Sequence, residues 1–175
     1  MTKIGIMLDA DSHTTMKLKQ ARFFLDKLKG FGKLRWEDID GKRFDEFTYY
    51  LDAFFMSFSN VFNIMIREYK PKNKKKFNEW FEREIYSGKH RQKQYKDELI
   101  EKLIHARVIT THEKQYFPHT IVTVQGEFDW EEWYEFPLES GDELVDVRKR
   151  CGEGFNKVSR LVKDCQSRFE KTALR

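Results

Sequence analysis

The stretch KLIHARVITTHEKQYF, residues 102–117, carries Arg107 and, five places on, His112. Arginine supplies a planar, permanently charged donor fork suited to a phosphate, and histidine is the side chain whose ordinary pKa lets it give or take a proton near neutrality. Together they have the chemistry to cleave RNA without a metal. The histidine would activate a 2'-hydroxyl or protonate the leaving oxygen, while the arginine stabilises charge at phosphorus. Five residues apart on a helix, the two differ by about 140° in azimuth, so they converge on one site only where the helix ends or bends. The bland alternative is a solvated Arg107 with His112 against the last carbonyls of the helix.

Other constellations carry less. His105, His112 and His119 are spaced by seven, a step of about 10.5 Å along a helix, too far for two imidazoles to share an ion. No metal and no cofactor is expected. Glu98 and Glu101 read as helix surface rather than as an acid–base pair. A P-loop, a dinucleotide fingerprint and a Gly-x-Ser-x-Gly elbow are all missing from the sequence. Lys70, Lys72, Lys74, Lys75 and Lys76 crowd into KPKNKKKF; such a run is either a solvated loop or a patch that attracts phosphates. In the second case Lys72, Lys74, Lys75 and Lys76 are the candidate nucleic-acid contacts. The formal net charge of +4 permits a polyanionic partner without demanding one.

The elements that must position these residues are mainly helical. Leu18, Ala21, Leu25 and Leu28 recur at steps of three and four before Gly30, giving a helix over 12–29. The strongest signal runs from Phe47 through Tyr50, Leu51, Phe54, Phe55, Phe58, Val61, Phe62, Met65 and Ile66 to Tyr69, a helix over 44–70 that Pro71 prevents from continuing. The sequence FNEWFEREIY predicts a shorter helix over 77–86. Tyr95, Leu99, Leu103 and Ala106 mark another over 91–110, whose end carries the Arg–His pair. Residues 119–136, β-branched before Gln125-Gly126 and aromatic after, predict a hairpin or an extended loop. SGDE, with Ser140 and Glu143, matches a capping box and would open a last helix over 142–170. Gly152 and Gly154 inside it cost roughly 1 kcal/mol each relative to alanine, which points to a close helix crossing or a kink. The expectation is one all-α domain over residues 1–175, an antiparallel four- to five-helix bundle with an inserted hairpin. Phe54, Phe58, Phe62, Leu103, Val158 and Leu161 are expected in its core.

No window approaches 18 uncharged apolar residues, so no membrane span is expected. The segment MTKIGIMLDAD has too short an apolar core for a secretory leader, which makes the cytoplasm the expected compartment. Cys151 and Cys165, about 21 Å apart if both lie in one helix, are too distant for a disulfide and read as small core residues.

ARFFLDKL, then FTYYLDAFFMSFSNVFNIMIREY, then FNEWFERE, then a helix ending in RVITTHE, and last a long C-terminal helix, together resemble the HEPN superfamily (higher eukaryotes and prokaryotes nucleotide-binding). The resemblance covers roughly residues 14–170 and is one of pattern and order, with one short diagnostic motif. In that superfamily a helical bundle carries an Arg-x4-6-His motif at the end of its third long helix, and Arg107 and His112 fall on the motif positions. It implies a metal-independent endoribonuclease of a toxin, antiphage or RNA-processing system, active as a homodimer, with a cognate antitoxin as a partner class. One position departs from the pattern. Active members usually have a polar residue directly after the arginine, and here it is Val108, which cannot hydrogen-bond RNA or orient the histidine. Degenerate members of the superfamily act as non-catalytic modules that bind protein or nucleic acid.

Overall fold

The computed structural model describes residues 11–31, 42–87, 94–112, 119–125, 129–135 and 146–170, with backbone alone at Phe44, Ser87, 108–112 and the two strands after Pro118. Within them lie five helices: α1 (His13–Gly30), α2 (Lys42–Tyr69), α3 (Lys74–Glu84), α4 (Glu98–His112) and α5 (Val147–Phe169). Two short antiparallel pairs of strands accompany them, β1 (Tyr86–Ser87) with β2 (Gln94–Tyr95) and β3 (His119–Gln125) with β4 (Asp129–Glu135). The architecture is mainly helical, as the periodicity predicts.

Helix α2 is the central element because its apolar arc is wide. Phe47, Leu51, Phe54, Phe55, Phe58, Val61, Phe62, Met65 and Tyr69 are all buried along it, and α1, α4 and α5 pack around it. Helix α1 runs antiparallel to α2. Glu68, near the end of α2, meets Thr14, near the start of α1, and Phe31 meets Phe47 at the other end. The Glu68 carboxylate accepts from the backbone N–H of His13 (3.2 Å) and Thr14 (2.8 Å) and from Thr14 Oγ1 (2.6 Å). It therefore serves donors that the first turn of α1 cannot satisfy internally, and it places negative charge at the positive end of the helix dipole.

Helix α5 is antiparallel to α1. Gln166 donates to Ser12 Oγ at 3.2 Å and to Thr15 Oγ1 at 2.7 Å, while Arg148 at the far end donates to the carbonyl of Phe31 at 2.6 Å. α5 continues as helix through Gly152 and Gly154. A Cβ built at Gly154 would approach Leu103 Cδ1 more closely than 3.0 Å, so the missing side chain is what lets α4 come against α5 there. The expected core is found: Phe54, Phe58, Phe62, Leu103 and Val158 are buried, and Leu161 is half-buried against the same cluster. Cys151 and Cys165 are buried and free, and burial pushes the Cys165 thiol up to about 12.

Helix boundaries differ from expectation where side chains compete with the helix. α3 starts at Lys74 because Asn73 caps it, its side chain accepting from Lys76 N at 3.2 Å. α4 starts at Glu98 rather than at 91, because Gln94 and Tyr95 pair with Ser87 and Tyr86, and Asp97 then accepts from Ile100 N at 3.1 Å. α5 starts at Val147, where Asp146 takes a non-helical backbone conformation and accepts from Arg148 N at 2.7 Å. The expected cap pair Ser140 and Glu143 lies outside the described residues, as do residues 91–93 and 136. Between 119 and 135 the two strands pair in register from His119 with Glu135 to Gln125 with Asp129, as expected of a hairpin.

Candidate functional site

Helix α4 buries Leu99, Ile100, Leu103 and Ala106, a stripe at steps of three and four that faces the core. Its start is held by the Asp97 cap and by Tyr95, whose ring meets Phe62 of α2 at 5.4 Å. Arg107 meets Met56 of α2, so α4 runs antiparallel to α2, and its C-terminal turns lie level with the middle of α2 and the turn before it. Arg107 follows Leu103 by one turn and so stands beside the buried stripe. It is half-buried, with Nε 3.5 Å from Met56 Sδ.

His112 is the last residue of α4. Position 112 stands about 140° round the helix from Arg107 and about 7.5 Å further along its axis, on the side opposite Leu103. Within one chain the two motif positions therefore diverge, while both belong to the terminal turns of one regular helix. Val108 follows Arg107 inside that helix, so the departure from the pattern adds no break in it.

The lysines fall elsewhere. Lys72, Lys74, Lys75 and Lys76 are exposed around the turn from α2 into the first turn of α3, with Lys72 Nζ 4.6 Å from the ring of Tyr69. From Tyr69 back to Met56 is thirteen residues of helix, about 20 Å. The basic turn and Arg107 thus mark two separate places, and a polyanion touching both would have to span that distance. Three lysines in the first turn of α3, with no acid there, also oppose the helix dipole, so an anion would relieve that end. His105 is exposed, and among the described residues no group of three His, Cys, Asp or Glu is placed to hold a metal ion.

Sequence reasoning missed Asp52. It lies one turn before Met56 on α2, half-buried, with Oδ1 lacking a hydrogen-bond partner, and burial pushes its carboxyl up to about 6. The signal was present in TYYLDAFF, an acid interrupting the apolar face of the longest helix. Also missed was a cleft of about 470 Å³ between the end of α3, the start of α4 and the middle of α5. Among protein-family models, curated proteins and solved structures, none matches this chain.

Proposed function

We propose that the chain is a HEPN-type metal-independent endoribonuclease, with Arg107 on the scissile phosphate and His112 as the proton-transfer group, acting as a homodimer. The observation that carries this reading is the course of α4. It is helical through Arg107 and ends at His112, which is where the motif calls for the pair. Because positions 107 and 112 diverge by about 140° on one helix, the reading needs a two-fold partner, which presents a second, inverted pair across the same groove. In the reaction His112 takes the proton of the 2'-hydroxyl, the 2'-oxygen attacks phosphorus, and the 5'-oxygen leaves with a proton from an acid. The products are a 2',3'-cyclic phosphate and a 5'-hydroxyl. Arg107 offsets the charge that gathers on the phosphoryl oxygens. Single-stranded RNA of a toxin, antiphage or processing system is the substrate class, and a cognate antitoxin is the matching protein partner.

A second reading has its own support. Arg107 points Nε at Met56 Sδ within its own chain, and Val108 replaces the polar neighbour that would help to orient a histidine. Both features, and the divergence of positions 107 and 112 around α4, suit a catalytically silent module that binds protein or nucleic acid. The deciding experiment incubates the protein with a panel of single-stranded RNAs in excess chelator, beside the DNA equivalents. The enzyme reading expects cyclic-phosphate or 3'-phosphate ends, intact DNA, and a loss of about 100-fold or more in His112→Ala, the scale for a missing general acid or base. Arg107→Ala should lose a similar amount while keeping its helical signal, and Val108→Asn should raise a weak activity. Intact RNA with both the wild type and Val108→Asn would overturn the nuclease and leave the binding module.

A further inference from the structure

The cleft of about 470 Å³ falls in the size range of small-molecule sites and lies apart from Arg107, which follows its lining residue Ile100 by about 10 Å of helix. Its floor is apolar. Ile85 and Ile100 are buried, and Tyr95 and Leu161 are half-buried with a face left towards the opening. Burial, then the hydroxyl of Tyr86, hold the Tyr95 phenol above its ordinary range, so Tyr95 offers this floor a neutral ring. Three elements far apart in sequence meet here, and side-chain bonds tie them. Lys157 of α5 pairs with Asp97 before α4, and Lys96 donates to the carbonyl of Arg83 in α3.

The charged rim is mostly occupied by these ties. Asp97 is shared between Lys157 and the N–H of Ile100. Asp164 accepts from Trp80 Nε1 at 2.7 Å and from Arg168 Nε at 2.8 Å, and those bonds, with Arg168 the larger influence, hold its carboxyl below the ordinary range. Glu84 pairs with Arg83 at 2.7 Å. Arg160 is different: it is exposed at the mouth and makes no hydrogen bond or ion pair among the described residues. The cleft therefore presents an apolar floor beside one uncommitted guanidinium.

We propose that this cleft binds a small amphipathic monocarboxylate, its apolar or aromatic body on Ile85, Ile100 and Leu161 and its carboxylate on the Arg160 fork. The planar guanidinium accepts a carboxylate or a phosphate two bonds at a time. Charge separates these anions. A single negative charge is matched by Arg160 alone, whereas a phosphomonoester, at about −1.5 to −2 near neutrality, would need a second cation drawn from those already engaged, Lys96 on the Arg83 carbonyl or Lys157 on Asp97.

The test titrates 3-phenylpropionate into the full chain and follows the backbone amide resonances of Ile100, Arg160 and Leu161. Saturable shifts confined to the cleft are expected, with a dissociation constant on the order of 1 mM for so small a ligand. The neutral 3-phenylpropanamide should bind about tenfold more weakly or worse, and so should the carboxylate to Arg160→Gln, since each removes a charge-assisted pair. Arg160 holds no other described residue, so its variant should melt with the wild type. Absence of saturation, equal binding of the amide, unchanged binding by Arg160→Gln, or phenyl phosphate binding as tightly as the carboxylate would each overturn the proposal. None of these outcomes depends on ribonuclease activity.

Discussion

Gly152 and Gly154 are two residues apart in one helix, yet alanine at each should change stability in opposite directions. Both substitutions gain helix propensity, about 1 kcal/mol. At Gly152 the new methyl would meet only the side chain of Lys29, at 3.7 Å, an ordinary contact, so the propensity gain should survive as roughly 0.5–1 kcal/mol of added stability. At Gly154 it would fall under 3.0 Å from Leu103 Cδ1, with Phe58 Cζ 3.6 Å away on the same side. Leu103 and Phe58 are fully buried, so Leu103 has little space to turn into. Overpacking of this kind costs about 1–3 kcal/mol, which outweighs the propensity gain over most of that range and leaves Gly154→Ala destabilised by up to about 2 kcal/mol. Denaturant titration of both variants measures the difference, with unchanged slope as the check on cooperativity. The Leu103→Ala background sharpens the test. That truncation alone should cost about 2–5 kcal/mol, and adding Gly154→Ala to it should cost less than in the wild type because the new methyl enters the vacated space. If Gly154→Ala were as stabilising as Gly152→Ala, the close approach of α4 to α5 would be refuted.

Phe58→Ala should cost about 3–5 kcal/mol in the same titration, as for any fully buried phenylalanine; a loss near zero would place the core on another face of α2. Glu68→Ala strips the acceptor from three donors at the start of α1, so hydrogen exchange in that first turn should speed up and stability should fall by about 1–2 kcal/mol. Asp52, raised to about 6 by burial, favours its protonated form in the folded state. Its contribution to stability is therefore fully present below the unfolded carboxylate range and is lost as pH rises through about 6. Asp52→Asn should thus be more stable than the wild type at pH 8, by about 1 kcal/mol after allowance for solvent screening, and equal to it below pH ~4. An advantage that persists at low pH would show that desolvation is not the cause.

What the sequence disclosed depended on how local the determining physics was. The apolar arc of α2 repeats over many turns and is ended by Pro71, so its face and length could be read directly. The start of α4 was misread because Tyr95, Leu99 and Leu103 keep a four-residue step, although Tyr95 belongs to a two-residue strand held by its cross-strand partner Tyr86. A pair that short leaves no alternation to detect. For α5, Ser140 and Asp146 both have capping side chains, and the hydrogen bond to Arg148 N favours Asp146. Arg107 could be placed beside the buried stripe from periodicity alone. The cleft could not be foreseen, since Ile85, Ile100 and Arg160 share no local pattern and meet only through the packing of α3, α4 and α5.

The bonds from Gln166 to Ser12 and Thr15 place the beginning of α1 against the end of α5. Residues 11 and 170 are therefore neighbours at one pole of the bundle, and a chain whose two end segments leave the fold side by side has the geometry that tolerates circular permutation. Joining residue 175 to residue 1, so that residues 171–175 and 1–10 form the connection, with new termini opened between β3 and β4 at residues 126–128, would leave every described helix-to-helix contact in place. Such a permutant should retain the helical signal and cooperative melting of the parent. It would also turn the hairpin into two free arms, each available as a fusion point.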